Sequence, residues 1–419
     1  MRTISPEGLA RTLSALPQVD PRVVTSGNAA THLGALGVVD RALERYRLFL
    51  LNAPLGVSTR PGVTLETPFV GPGQRNQPGL AYVPARLSLV PLLFARHRRP
   101  DVVVLHTSTP RAGTVSLGIE VNILPAAVEQ ARAGGGLVVA VMNPSMPFTY
   151  GDGVLPTDEF DLAVEMPFPL PSPHVRTRDD VSQAIGERVA ALVPDGATLQ
   201  LGIGAVPDAT LAALGGHREL RVFTEMFSDG VLDLHRRGVL DPQARLVSSF
   251  LMGSPELYEW VDRNPAVRVL RTEKTNDPSV IARQRAMTSV NTAMQIDLYA
   301  QANASRRPGG SIFSGFGGST DFIVGALHSA GGQALMALAS WHAKARVSTV
   351  VELVDGPVTS FQHSALVTEQ GVAQVFGGSQ AEQAEAVVGV AHPSARDSLR
   401  AAAQRRGLIP EPLSPGVDR

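Results

Sequence analysis

The sequence contains no cysteine. That one absence excludes disulfides, thiolate nucleophiles, Cys-ligated zinc and iron–sulfur clusters. Lysine is almost missing as well, with Lys274 and Lys344 the only two. The arginines that replace it suit bidentate contacts with phosphate and carboxylate, although genome base composition would produce the same bias. No apolar run reaches the length of a membrane span, and the opening MRTISPEGLARTL lacks the apolar core of a signal peptide. A cytoplasmic protein without membrane contact is therefore expected. The formal net charge of −1 gives no general attraction to nucleic acid. The ten histidines are scattered without metal-binding spacing, and HExxH, a GxSxG elbow and the Gly-Lys-Ser/Thr of a Walker loop are all lacking. No metal site is expected.

What remains is a chain of 419 residues, 44% hydrophobic and 18% charged, long enough for two domains with ample cores. Apolar, β-prone runs alternate with helical patterns: Arg22 to Thr25, a helical stretch from Ala29 to about Arg45, then Leu48 to Asn52. Asp101 to His106 and Gly136 to Met142 follow, with a helical pattern around Val128 to Arg132 between them. Continuous apolar strands separated by helices predict an α/β fold with mainly parallel sheets covered on both faces. Thr64 to Arg75 and Asn143 to Asp152 read as long loops. Pro167 to Asp180 carries four prolines and no period, which predicts a linker and domains of about 1–175 and 176–419.

A second series of strands and helices comes after the linker. Thr198 to Leu201 reads as a strand, GIGAVP as a turn and Asp208 to Leu214 as a helix. Arg245 to Leu251 and Val267 to Leu270 read as further strands. Ser254-Pro255 opens a helix, Ser379 and Glu382 have capping-box spacing, and a last helix covers about Ala395 to Arg406.

Three motifs bear on chemistry. RVFTEMFSDG places Glu225 where a strand should give way to a helix, the end of a parallel sheet at which ligands are handled. GIGAVP offers two glycines and a helix N-terminus to an anion, and SGFGGSTDF can present consecutive backbone amides to a developing negative charge. Each also fits a structural turn or a capping carboxylate, and Glu369 in VTEQG competes with Glu225. A carboxylate nucleophile beside backbone donors is the most economical chemistry for this set, and it fits acyl transfer without singling it out.

Taken in order, LQLGIGAVPDA, FTEMFSDG, SVNTAMQIDLYAQANA and SGFGGSTDF resemble the acetyl-CoA hydrolase/transferase family, which includes 4-hydroxybutyrate and succinyl-CoA:acetate CoA-transferases. VVTSGNAAT, FVGPGQR, STPRAGTVSLG, MNPSMPFTYGD, VTEQGVA and VAHPSARDSL are similar to its other segments, so the likeness spans nearly the whole chain. It implies two tandem domains of the CoA-transferase type with the site between them. It implies Glu225 as the nucleophile that exchanges CoA between an acyl-CoA and a small carboxylic acid through a glutamyl-CoA thioester. The oxyanion- and CoA-binding positions it implies are Gly202, Ile203, Gly204, Gly315, Gly317 and Gly318. Coenzyme A enters as substrate, no other cofactor is implied, and a homo-oligomer such as a dimer is expected. Acetyl-CoA hydrolysis and a non-catalytic acyl-CoA-binding role stay open. Gln362, Gln370 and Val324 depart from the family's pattern, two of them where an arginine is common, so contacts to CoA phosphates or the acceptor acid come into question.

Overall fold

The computed structural model describes residues 1–172, 179–356, 358 and 362–410. Val102–Thr107, the six-residue strand VVVLHT, is buried along its whole length. Its side chains alternate between two faces, as a pleated strand requires. Val102 and Val104 join a core with Leu9, Leu13, Val38 and Val39, from the helices Pro6–Ser14 and Leu33–Ala42. Val103 and Leu105 join another with Phe94, Ala127 and Val128, from Val90–Arg96 and Leu124–Ala133. Its first four residues are apolar because neither face meets water.

Around it lies an eight-stranded sheet, in the order Arg2–Ile4, Leu162–Glu165, Leu137–Met142, Val102–Thr107, Arg22–Thr25, Tyr46–Phe49, Val63–Thr67 and Leu80–Tyr82. Every pairing in it is parallel. A six-stranded sheet follows, in the order Arg221–Val222, Thr198–Leu201, Thr288–Asn291, Gln333–Ala337, Ala365–Thr368 and Gly371–Gln374. It is parallel except for the hairpin of the last two strands. The α/β architecture with mainly parallel sheets is as expected. The boundary placed at 175/176 lies outside the described residues.

The two sheets share one contiguous apolar cluster, in which Val24, Leu105 and Ile119 belong with Leu199, Val231 and Leu257. Main-chain hydrogen bonds cross with it: Leu251 N–H donates to Ile119 O at 2.8 Å, Thr272 N–H to Asn122 O at 3.0 Å and Val269 N–H to Tyr150 O at 2.8 Å.

Several local expectations shift. The first long helix begins at Leu33, because Asn28–Ala30 forms a separate 3-10 turn with Asn28 in the left-handed region that Asn tolerates. The second strand is Tyr46–Phe49, and the helix after Gly204 starts at Ala205 rather than Asp208. Thr64 to Arg75 is a loop only in its second part, since Val63–Thr67 pairs into the sheet. The run Arg245 to Leu251 is two strands. Leu246–Ser248 pairs with Val267–Val269, and Phe250–Leu251 pairs with Met226–Phe227. The break is bulge-like: the N–H groups of Ser249 and Phe250 both donate to the carbonyl of Glu225, at 2.8 and 3.0 Å.

Leu105 is fully buried at the centre of the larger sheet. Leu105→Ala should destabilise the fold by about 3 kcal/mol, seen as a lowered urea midpoint. Leu55→Ala, at a residue 73% exposed, should change the unfolding free energy by less than about 0.5 kcal/mol.

Candidate active site

Glu225 stands between the strands Arg221–Val222 and Met226–Phe227, and the helix Asp229–Arg236 begins only after Ser228. The expected strand-to-helix junction is thus a strand-to-strand turn. Its main chain is held firmly. Besides the two N–H groups at the bulge, the Ser249 hydroxyl donates to Glu225 O at 3.1 Å, while the single hydroxyl proton of Ser248 goes to the nearer Phe250 O at 2.5 Å. Thr224 caps the same turn, its hydroxyl donating to Met226 O at 3.0 Å. With the backbone pinned, the carboxylate projects into a cavity of about 560 Å³ between the two halves.

Asn276 Nδ2 donates to Glu225 Oε2 at 3.0 Å, and the Gly318 N–H donates to the same carboxylate. Asn276 is itself buried, its Oδ1 accepting from the Thr275 hydroxyl at 2.7 Å. Gly318 has to be glycine, because a Cβ there would overlap both Glu225 Oε2 and Asn276 Nδ2. Burial pushes the pKa of Glu225 from its ordinary 4.5 up to about 7, and the charge of Asp321 adds to the rise. The Asn276 and Gly318 donors oppose it.

Of the other positions singled out in the sequence, Gly202, Ile203, Gly315, Gly317 and Gly318 line this cavity with Glu225. Gly204 does not. It takes φ 130° immediately before the helix Ala205–Ala213 and turns the chain into it. Glu369 is no rival, since it lies in the hairpin turn between Ala365–Thr368 and Gly371–Gln374 and outside the cavity lining. Its carboxylate accepts from the N–H and hydroxyl of Ser340. Gln370 bonds Glu369, Val324 sits on the helix Ser319–His328, and Gln362 is exposed. None of these three lines the cavity, so the departures from the family's pattern fall away from the carboxylate.

The glycine loop is held by the other half of the molecule. Val70 N–H donates to Ser314 O at 2.8 Å and Leu87 N–H to Gly317 O at 2.9 Å. Just beyond the loop, Asp321 accepts from the Ser88 hydroxyl at 2.9 Å and pairs with Arg86 at 3.2 Å. Asp321 is fully buried, and burial raises its pKa to about 6 against the pull of Ser88 and Arg86.

Sequence reasoning missed several members of this constellation. Asn28, Asn52 and Gln200 line the cavity with neutral polar groups, and Arg75 is its one cation among the described residues. Behind Asn28 lies Glu120, 1% exposed, whose oxygens each accept from Asn28 Nδ2 at 3.0 Å. Asn122 Nδ2 donates to it at 2.7 Å. Burial moves Glu120 up to about 7 despite these donors, and the negative charge of Glu225 pushes in the same direction. Asn28, Gln200 and Arg75 lay inside quoted motifs. Glu120 and Asn276 carry no local pattern that would mark them.

Between roughly pH 4.5, where the unfolded chain releases these protons, and about 7, the folded protein keeps them on Glu120 and Glu225. The native state binds more protons in that window, so stability should fall as pH rises through it and level off above. Denaturant midpoints measured from pH 4 to 8 test the sign. Glu120→Gln should flatten the slope, whatever it does to stability at any one pH.

Residues 253–403 match the model of the acetyl-CoA hydrolase/transferase C-terminal domain. The 4-hydroxybutyrate coenzyme A transferase of Clostridium kluyveri is 38% identical over 330 residues, which is 76% of this chain and 76% of that protein. The succinyl-CoA:acetate/propanoyl-CoA:succinate CoA transferase of Fasciola hepatica is 36% identical over 79% of this chain and 72% of its own. In three dimensions, the crystal structure of RipA from Yersinia pestis superposes with a TM-score of 0.89 at 28% identity, covering 97% of this chain and 98% of that one. Similarity of this extent, over both halves of the chain, establishes it as an enzyme of the acetyl-CoA hydrolase/transferase family.

Proposed function

We propose that the enzyme transfers CoA between an acyl-CoA and a small carboxylic acid, with Glu225 as the nucleophile and a glutamyl-CoA thioester as the intermediate. The observation that carries this reading is the setting of Glu225: a carboxylate facing a cavity, with Gly318 N–H and Asn276 Nδ2 aimed at its own oxygens. Relatives named as CoA transferases across three quarters of the chain support the class of reaction.

Ionised Glu225 attacks the thioester carbonyl carbon. A carbon–oxygen bond forms and the carbon–sulfur bond breaks, leaving an acyl-glutamyl anhydride and CoA thiolate. The thiolate then attacks the glutamyl carbonyl and expels the first acid as its carboxylate. In that second step the negative charge develops on a Glu225 oxygen, where Gly318 and Asn276 already donate. A donor placed at a developing oxyanion is worth a few kcal/mol. In the first step the charge develops on the substrate's acyl oxygen, for which the Gly202–Ile203 turn at the cavity wall is the candidate donor. An incoming carboxylate reverses both steps. Thioester energy is kept throughout, and neither ATP nor a metal takes part in any step.

Incubation with acetyl-CoA followed by borohydride should convert Glu225 to the corresponding alcohol, located by peptide mass; an unmodified Glu225 with acyl-CoA bound would sink the nucleophile assignment. Glu225→Gln should lower kcat/KM by about 10³-fold or more, and Asn276→Ala by on the order of 10²-fold with kcat carrying most of the loss. Because the nucleophile must be ionised, single-turnover acylation should rise with pH through about 7, the value to which burial moves Glu225. A rate flat across pH 6 to 8 would contradict the assignment. Thioester loss that ignores every added acid would indicate hydrolysis instead of transfer.

A further inference from the structure

Phe313 lines the cavity just before the glycine loop, and an arginine lies against its ring from each half of the molecule. The guanidinium of Arg75 is 3.9 Å from the ring centroid, and that of Arg307 is 4.9 Å away. Arg75 is fixed further by its Nε–H, which donates to Phe313 O at 2.8 Å. Arg75 is half-buried in the cavity wall, whereas Arg307 is exposed and outside the lining. The pair therefore marks the solvent side of the cavity.

Two like charges sharing one ring repel, and burial together with the charge of Arg307 presses the pKa of Arg75 down. Among the described residues neither guanidinium has a carboxylate within ion-pair distance, whereas Arg86 and Arg271 each do. Asp355, the acid that reaches this loop, accepts from the Gly309 N–H at 3.2 Å. Cations held in place without a counter-charge form a site for an anion.

We propose that Arg75 and Arg307 bind the phosphate groups of the CoA moiety, holding its nucleotide end on the rim while the thioester reaches Glu225. This rests on the CoA-transferase reading above. A phosphate is favoured over the acceptor's carboxylate by position and by charge. The acid reacts at Glu225 inside the cavity, whereas an anion that meets both guanidiniums has to lie on the outer rim. Phosphates also carry more charge than a carboxylate and match the guanidinium fork in pairs of hydrogen bonds.

Calorimetric binding of CoA, of dephospho-CoA and of pantetheine separates the possibilities. Arg307→Met and Arg75→Met should each weaken CoA by about tenfold and change pantetheine affinity by less than about twofold. Arg307 makes no side-chain hydrogen bond among the described residues, so its substitution does not threaten the loop; Arg307→Glu should weaken CoA further. CoA and pantetheine weakened alike, or no change in CoA affinity, would overturn the proposal. A rise confined to the KM of a dicarboxylate acceptor would also overturn it, assigning the pair to the acid. If the wild-type protein binds CoA and is trapped by borohydride, such a result touches the rim site alone. If it neither binds CoA nor is trapped, the CoA-transferase reading fails, and the rim site with it.

Discussion

Three donors converge on one carbonyl, that of Glu225: two successive N–H groups from the break at Ser249 and Phe250, and the hydroxyl of Ser249. An oxygen with two lone pairs rarely satisfies so many partners, and the price is a strand that cannot run straight. Its return is a backbone with no freedom to turn the Glu225 side chain away. Everything else at the site takes its bearing from that point. Phe250 also bridges to Glu120 across the two halves, and the Leu251 N–H continues the link to Ile119. The bond set that anchors Glu225 is continuous with the one that joins the sheets.

Desolvation then sets the chemistry. Glu120, Glu225 and Asp321 are three carboxyls raised above their ordinary pKa values chiefly by burial. A carboxylate short of solvent is a stronger base and a more reactive nucleophile than one in water. The two donors on Glu225 keep it from being lost as a neutral acid at physiological pH, so the site lies between inertness and protonation. The amides around Glu120 play the same part for a carboxyl that cannot reach the cavity.

The parts of the fold legible in the sequence were those whose signal is local. Asp101 to His106 reads as a buried strand because its VVVL run is apolar on both faces, and Ser379 with Glu382 forms the capping box that its spacing describes. The strand split at Ser249 was not legible, because its cause is an acceptor some two dozen residues away in the chain. Short strands such as Leu80–Tyr82 exist through their neighbours and leave little trace in their own residues. At the site, Glu225 and five of the six flanking positions face one cavity, and Gly204 shapes a turn instead. Asn276 and Glu120 escaped notice because a lone amide or acid has no period, and only the fold brings it near Glu225.

The first half grips the glycine loop through main-chain atoms, with Val70 N–H on Ser314 O and Leu87 N–H on Gly317 O. A peptide group offers the same donor whichever side chain it carries. The gripping segments can therefore drift in composition over evolutionary time, limited only by the backbone path that their own sheet imposes, without disturbing the amide that faces Glu225. Lineages that diverge widely in the first half can thus inherit an unchanged glycine loop in the second.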